Sequence, residues 1–268
     1  MTEVILSLTV TFEKETHPLT NLRNKVALIT GSGRGIGKAI AERYASLGAD
    51  VVVNYTNNRT AAEITVSNLQ AYGVKALAIQ ADIAKVAEVR NMFQTTLKKL
   101  GKIDIVVANA GIEVVNVPTV DITEEQYDRL FEVNTKGAFF TIQEAAKHVA
   151  DNGRIIYISS STTTSAMAGY ALYGSSKVAP MYLVEALAKE IGYRGVTVNT
   201  IVPTVIEGAG LWTNPEDRGE FKHTLTQAHP MRRLGTLDDV ANVAEFFASD
   251  LSSYVSGQRL LVSGGALQ

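Results

Sequence analysis

Three side chains in the second half of the chain have the types and spacing expected of a proton-transfer site. Tyr173 and Lys177 occupy positions i and i+4, and Ser160 precedes them. On a helix these two positions share a face, so the ammonium group would lie beside the phenol. A free phenol has a pKa of about 10, and a neighbouring cation favours its ionised form and lowers that pKa. The spacing therefore predicts that Tyr173 donates and accepts protons, with Lys177 as its cation.

A glycine-rich turn near the start of the chain predicts a binding site for a nucleotide phosphate. Gly31, Gly35 and Gly37 follow the apolar run 26–30 and precede a segment in which Ile36 and Ile40 recur at helical spacing. Glycines let the backbone turn tightly and approach a pyrophosphate, which then binds at the amide-rich N-terminus of the following helix. The turn consists of Gly31, Ser32, Gly33, Arg34, Gly35, Ile36 and Gly37.

The second predicted strand indicates which dinucleotide binds. NAD-selective folds place a carboxylate at the end of this strand, where it binds the ribose hydroxyls. Here the strand is followed by polar residues without a carboxylate, and Asp50 lies at its opposite end. Arg34 in the glycine turn suits a 2′-phosphate because its guanidinium binds phosphate through two parallel hydrogen bonds. We therefore predict NADP(H) rather than NAD(H), bound also by Asn54, Tyr55, Thr56 and Asn57.

Short apolar runs alternate with longer segments of helical periodicity from residue 25 onwards. This alternation is typical of βαβ units, and strands that are apolar throughout are covered by helices on both faces. The fold class predicted is α/β, a Rossmann-type doubly wound fold with a seven-stranded parallel sheet and helices on both faces. The predicted strands are 26–30, 51–54, 76–80, 103–108, 154–159, 197–201 and 259–262.

Composition excludes several other functions. The chain has 268 residues, 19% of them charged, with a formal net charge of −2. Such a chain fits one α/β domain, here 23–268, and has no basic surplus for nucleic acid or an acidic membrane. There are no cysteines, and His17, His148, His223 and His229 have no metal-ligand spacing, so no metal site is expected. Residues 1–22 are predicted to form an N-terminal arm without a targeting signal, which implies a cytoplasmic protein.

Over residues 25–265 these motifs together resemble the single-domain short-chain dehydrogenase/reductase family. The turn at 30–37 is similar to the family's T-G-x-x-x-G-x-G pattern, and Asn109-Ala110-Gly111 to its N-A-G after the fourth strand. The resemblance implies catalytic roles for Asn134, Ser160, Tyr173 and Lys177. It also implies further cofactor-binding residues, namely Asp82, Ile83, Asn109, Ala110, Gly111, Tyr173, Lys177, Pro203 and Val205.

The activity implied by this resemblance is reversible hydride transfer between NADP(H) and a ketone, an aldehyde or a secondary alcohol. Ser160 would bind the carbonyl oxygen, Tyr173 would protonate it, Lys177 would also bind the nicotinamide ribose, and Asn134 would hold a water. Two alternatives remain: a dinucleotide-binding regulator without turnover, and an enzyme of the epimerase type, which shares the Y-x-x-x-K motif.

Two features of the second half extend the prediction. The stretch 203–230 shows no clear strand and is expected to be an irregular lid over the substrate. The family commonly has Pro-Gly here, followed a few residues later by a threonine. In this chain Thr204 follows Pro203, and the glycine comes only at Gly208. The resemblance implies a homotetramer, with a dimer as the alternative, built on helices near 135–149 and 172–192 and on the last strand. We expect a buried stripe of Ala179, Leu183 and Leu187 in the second of these helices.

Overall fold

The computed structural model describes residues 20–213 and 219–266, and its centre is a parallel sheet of seven strands. All six strand pairings are parallel, and the strand order is β3-β2-β1-β4-β5-β6-β7. The strands are β1 (Val26–Ile29), β2 (Asp50–Tyr55), β3 (Ala76–Gln80), β4 (Ile105–Ala108), β5 (Arg154–Ile158), β6 (Thr197–Pro203) and β7 (Arg259–Val262). The predicted fold class is confirmed, with strand ends shifted by a few residues.

Helices cover both faces of this sheet, and two apolar cores result. One core lies beneath α3, α5 and α6, and the other beneath α1, α2 and α8. The helices are α1 (Gly35–Ser46), α2 (Arg59–Gln70), α3 (Val86–Leu100), α4 (Glu124–Phe131), α5 (Ala138–His148), α6 (Ala171–Ile191), α7 (Gly219–Ala228) and α8 (Leu237–Ala248). Because both faces are covered, β1, β4 and β5 are buried along their whole length.

The order of the strands defines where a ligand can bind. From β1 the chain proceeds to β2 and β3 on one side of the sheet, and it then returns to β4 on the other side. Connections that leave in opposite directions open a crevice at the carboxyl ends of the two neighbouring strands. The turn after β1 and the Asn109-Ala110-Gly111 segment after β4 both lie at this crevice.

The buried face of α6 differs from the predicted stripe. Ala179 is exposed and Leu183 only partly buried, whereas Met181 and Val184 are fully buried between the helix and the sheet. The buried row of this helix begins with Tyr173 and Lys177, a phenol and an ammonium group that hydrophobic periodicity does not count. The predicted stripe is therefore confirmed at Leu187 and wrong at Ala179, because polar functional residues occupy part of the inward face.

Two parts of the predicted domain map differ from the structure. Leu22 is buried and its N–H donates to the Leu47 carbonyl, so residues 20–22 belong to the folded unit. The rest of the predicted N-terminal arm lies outside the described residues. The segment 203–230 is not irregular throughout, because it contains a short 3₁₀ turn at Gly210–Trp212 and the helix α7.

Across residues 20–213 and 219–266, no helix is both long and apolar enough to cross a membrane.

Candidate active site

The glycine turn after β1 leaves no room for a side chain at Gly37 and favours glycine at residue 31. Gly31 has a φ of +64°, which favours glycine. A Cβ on Gly37 would lie 2.5 Å from the Asn109 side-chain nitrogen and 2.7 Å from the Gly31 carbonyl oxygen. The start of α1 therefore packs directly on the crevice, and its first amide groups point towards it. This cradle fits a pyrophosphate.

Thr30 joins the glycine turn to the segment after β4. Its hydroxyl oxygen accepts hydrogen bonds from the Asn109 and Ala110 N–H groups, each at 3.0 Å. The Asn109 side-chain amide donates to the Thr30 carbonyl at 2.9 Å. These bonds hold the two walls of the crevice at a fixed separation, as the predicted roles of Asn109, Ala110 and Gly111 require.

Asn54 occupies a different place from the one predicted. Its side chain is buried, accepts a hydrogen bond from the Gly31 N–H at 3.0 Å and donates to the carbonyls of Ile79 and Ala81. An amide used in this way does not face a 2′-phosphate, so the predicted direct contact is wrong. Asn54 instead joins the glycine turn to β2 and β3.

The remaining predicted cofactor residues lie along the same edge of the sheet. Arg34 is exposed at the N-cap of α1 and forms no ion pair with any carboxylate in the described parts of the chain. Tyr55 and Thr56 are half-buried, and Asn57 is exposed. Asp82 accepts a hydrogen bond from the Ala84 N–H at 3.0 Å. Ile83 is buried, Pro203 ends β6, and Val205 follows it.

Asn134 lies in a widened helical turn between α4 and α5. Residues Glu132–Gly137 form a π-type turn, where a continuous helix from 135 was predicted. The Asn134 side chain accepts from the Ile112 N–H and donates to the Ile112 carbonyl, both at 2.9 Å, and it also donates to the Ser176 hydroxyl at 3.1 Å. Such turns often occur at functional sites. Asn134 thus ties the segment after β4 to α6.

A proline in the middle of α6 creates a second tie to the same turn. Pro180 has no N–H, so the Ser176 carbonyl four residues earlier lacks its helical partner. The Thr135 hydroxyl donates to that carbonyl at 2.9 Å. The π-type turn and the α6 backbone next to Lys177 are therefore held together at two points.

The serines at the end of β5 face opposite sides. The Ser159 hydroxyl is buried and donates to the Met181 sulfur at 3.0 Å, whereas Ser160 is hydrogen-bonded to Tyr173. The Ser160 oxygen also accepts from the Thr162 hydroxyl at 3.1 Å. The structure thus places Ser160, and not Ser159, beside the tyrosine.

Lys177 is buried within reach of both phenols of the site. Its Nζ lies 6.0 Å from the centre of the Tyr173 ring and 5.6 Å from that of Tyr157, and it donates to the Ile158 carbonyl at 3.2 Å. Burial lowers the pKa of the ammonium group to about 8, although the negative charge of Glu113 opposes that shift. A Cβ on Gly111 would lie 2.9 Å from Nζ, so the segment after β4 also approaches it closely.

The pKa of Tyr173 moves in the opposite direction from the prediction. Burial raises it well above its ordinary value, Glu113 raises it further, and only the hydrogen bond from Ser160 lowers it. Desolvation of the phenolate dominates in this enclosed position. In the protein alone, Tyr173 is therefore held in its protonated form.

Glu113 is a site residue that the sequence prediction missed. It lies two positions after Gly111, and its charge affects both Tyr173 and Lys177. A signal was available, because Glu113 is the sole charged residue between Asp104 and Asp121 and follows a strand that ends at the crevice.

The segment after β6 approaches the crevice from the other side. A Cβ on Gly35 would lie 3.7 Å from the Gly208 carbonyl oxygen, so this segment contacts the glycine turn. Lys222 on α7 forms a 2.6 Å ion pair with Glu207. These contacts place the N-terminal part of the predicted lid over the crevice, and residues 214–218 lie outside the described part.

Comparison with known proteins identifies the class of protein that this fold and site define. The family pattern that matches residues 31–266 is described as Enoyl-(Acyl carrier protein) reductase. The chain belongs to the short-chain dehydrogenase/reductase family. The family predicted from the motifs is thereby confirmed, and the chain is an oxidoreductase of that family.

Several relatives are similar over nearly their whole length. The chain is 40% identical to the hydroxynaphthalene reductase-like protein Arp2 of Metarhizium brunneum over 258 residues, which is 92% of this chain and 96% of that protein. A short-chain dehydrogenase of Burkholderia cenocepacia, solved in complex with NADP, has 33% identity and a TM-score of 0.84, covering 92% and 99% of the two chains. The promiscuous reductase LugOII, described as catalysing keto-reduction at C1 during lugdunomycin biosynthesis, has 35% identity and a TM-score of 0.85, covering 93% and 100%.

Proposed function

We propose that the protein reversibly transfers a hydride between NADP(H) and a ketone or the matching secondary alcohol. The observation that carries this proposal is the proximity of the predicted catalytic groups. The Lys177 Nζ lies 6.0 Å from the centre of the Tyr173 ring, and Ser160 lowers the pKa of Tyr173. Asn134 donates to the Ser176 hydroxyl, next to Lys177. A regulator that only binds a dinucleotide has no need of all four. The names of the relatives, which are reductases, support the same reading.

The crevice fits a dinucleotide. When bound, NADP(H) supplies or accepts the hydride, and its oxidised form adds a positive charge that favours the Tyr173 phenolate. The glycine turn and the N-terminus of α1 would hold the pyrophosphate, and Arg34 would bind the 2′-phosphate. Asn109, Ala110 and Gly111 would line the opposite wall, and Lys177 would bind the ribose hydroxyls.

Side chains of the protein would supply the proton that the substrate oxygen receives. Ser160 would redirect its hydroxyl proton from Tyr173 to the substrate oxygen, while it keeps the hydrogen bond that it accepts from Thr162. Tyr173, held protonated by burial, transfers its proton to the same oxygen. Proton return would pass the Lys177 ammonium group. Both polar atoms of the Asn134 side chain bind protein groups, so Asn134 would position the segment after β4 relative to Lys177.

The substrate that we propose is a ketone attached to a hydroxylated aromatic ring. The name of the Metarhizium relative points to this class. Around the crevice, Met167 is half exposed, Tyr170 packs beside Tyr173, and Trp212 is buried in the lid. Thioether and aromatic groups favour flat apolar ligands.

A turnover assay tests the proposed function. Purified protein should oxidise NADPH in the presence of α-tetralone or its ring-hydroxylated derivatives, and NADPH consumption reports the rate. NADPH binding without turnover on a broad ketone panel would favour the regulator. Turnover of a nucleotide-sugar alone would favour the epimerase-type enzyme.

Coenzyme preference is predicted from Arg34 and from the missing carboxylate at the end of β2. We expect NADPH to exceed NADH by at least about tenfold in kcat/KM, which corresponds to about 1.4 kcal/mol. Arg34→Ser should lose most of this preference through a higher KM for NADPH, and Tyr55→Asp should reverse it by repelling the 2′-phosphate. Arg23→Ser, which removes an exposed arginine at the opposite edge of the sheet, is the control. Equal kcat/KM with both coenzymes would contradict the role of Arg34.

We also propose that the protein is a homotetramer. On α6, Met181 and Val184 are buried within this chain, but Val178 and Tyr182 on the outer face are 48% and 73% exposed. Phe139 on α5 and Leu260 on β7 are also exposed. Exposed apolar groups on neighbouring elements are typical of subunit interfaces.

Light scattering on the purified protein should give a mass of about four times 28.8 kDa. A monomer would contradict the interface, and a dimer would support half of it.

A further inference from the structure

Tyr157 on β5 contacts both the side chain and the backbone of Lys177. Its ring is 1% exposed and lies in the apolar core beneath α3, α5 and α6. The Lys177 Nζ lies over this ring, 5.6 Å from its centre. The Tyr157 hydroxyl donates to the Lys177 main-chain carbonyl at 3.4 Å. A residue of the sheet thus meets two different parts of the predicted catalytic lysine.

The other neighbours of the ammonium group define what this ring can add. Nζ donates to the carbonyl of Ile158, the next residue of β5, at 3.2 Å, and the centre of the Tyr173 ring is 6.0 Å away. Burial lowers the pKa of Lys177 to about 8, and the negative charge of Glu113 opposes that shift only in part. A further group that attracts a cation therefore affects how much of Lys177 stays charged near neutral pH.

An aromatic ring can stabilise a buried cation without bringing a charge of its own. The face of the ring is electrostatically negative, and it attracts a cation within about 6 Å of its centre, most strongly where both groups are away from water. Burial raises the pKa of the Tyr157 phenol well above its ordinary value, so this ring stays neutral. The distance of 5.6 Å lies within the range of this attraction.

Plain core packing is the alternative explanation of Tyr157. Ile155, two positions earlier in β5, faces the same core and only fills space there. Tyr157 differs from it because the hydroxyl and the ring both contact one residue, and that residue is Lys177. The hydrogen bond from the hydroxyl holds the ring against the turn of α6 that carries the ammonium group.

We propose that Tyr157 is a positioning residue, whose ring holds the Lys177 ammonium group in its charged form beside Tyr173. This inference rests on the proposed function, in which the charged lysine binds the nicotinamide ribose and takes part in proton return. Without the ring, Lys177 would lose its proton at a lower pH. The attraction expected for a buried pair corresponds to about one unit in the pKa of Lys177.

NMR titration tests the proposal in the protein without a substrate. Protein labelled with ¹³C at the lysine Cε reports the protonation of each lysine, and Lys177→Met identifies the Lys177 signal. Tyr157→Met fills similar space without a ring and should lower the pKa of Lys177 by about one unit. Tyr157→Phe keeps the ring and should leave that pKa nearly unchanged. Phe93→Leu, which removes a ring on α3 from the same core, is the control.

The pH profile of ketone reduction is the second measurement. Because burial raises the pKa of Tyr173, Lys177 is the first of the two groups to lose its proton as the pH rises. The alkaline fall in kcat should therefore begin about one pH unit lower in Tyr157→Met than in the wild type. Tyr157→Phe should restore the wild-type profile. A purely structural role would lower the rate without moving the profile.

A second variant keeps the test decisive if Tyr157→Met folds poorly. Pentafluorophenylalanine at position 157 keeps the shape of the ring but removes its negative face, so it should lower the pKa of Lys177 in the same direction. An unchanged pKa in both ring variants, or an equal shift in Phe93→Leu, would overturn the role of the ring. So would an equal shift in Tyr157→Phe, because the hydroxyl would then be responsible.

Failure of the proposed function would look different. A wild-type protein that shows the expected shifts in the NMR titration but reduces no ketone would contradict the reductase activity, while the effect of the Tyr157 ring on Lys177 would remain established.

Discussion

Tyr173→Phe should reduce ketone turnover by about 10²- to 10⁴-fold and leave NADPH binding nearly unchanged. General acid catalysis by a positioned side chain is typically worth this factor. The substitution removes a single oxygen from a ring that remains buried against Leu130 and Leu172, so the fold of the site should persist. Steady-state kinetics with NADPH and a reduced ketone measure the loss, and fluorescence of bound NADPH measures binding.

The two serines provide matched controls for this experiment. Ser160→Ala should also lower turnover, though less severely, because its hydroxyl orients the substrate and does not supply the proton. Ser159→Ala should have little effect on catalysis, since its hydroxyl faces Met181 in the core. A Tyr173→Phe protein with more than about a tenth of wild-type turnover would disprove the assignment of the proton donor.

Lys177→Met should abolish turnover and yet stabilise the protein without its cofactor. The ammonium group is buried and its pKa is lowered to about 8, so the folded state bears the cost of a charge away from water. That lowering of the pKa corresponds to about 3 kcal/mol of destabilisation, which the variant no longer has. The variant also loses the hydrogen bond to the Ile158 carbonyl, which removes about 1 kcal/mol of that gain in stability. We expect the free energy of unfolding at pH 7 to rise by about 2 kcal/mol.

The pH dependence identifies the cause of this stabilisation. Below about pH 8 the lysine is charged in both the folded and the unfolded protein, and the full cost of burial is present. Between about 8 and 10.5 the folded protein loses the proton first, so the cost decreases. The advantage of the variant, measured by urea unfolding, should thus be largest near pH 7 and vanish near pH 10.5. A destabilised Lys177→Met protein at pH 7 would contradict the desolvation argument.

The fold and the core of the site could be predicted because local signals coincide there. Most strands contain a short apolar run, and a close contact at Gly37 and the positive φ of Gly31 favour glycine in the turn. The motif around Tyr173 and Lys177 also has fixed helical spacing. The structure brings these residues together where the parallel strands end.

Other features depend on contacts that periodicity does not reveal. The inward face of α6 was predicted wrongly because Tyr173 and Lys177 occupy it. Asn54 looked like a ligand group, but only its three-dimensional neighbours show that it binds the glycine turn. Glu113 was missed because its charge acts on Tyr173 and Lys177, which lie about sixty residues later in the chain.

The two hydrogen bonds between the π-type turn and α6 hold the predicted catalytic residues in place without any contact from the lid. Asn134 donates to the Ser176 hydroxyl, and Thr135 donates to the Ser176 carbonyl. That carbonyl is available because Pro180 has no N–H to bind it. No residue of the lid takes part in these bonds. In the reductase that we propose, substitutions at 203–230 should therefore change the substrate range and leave these contacts of α6 intact.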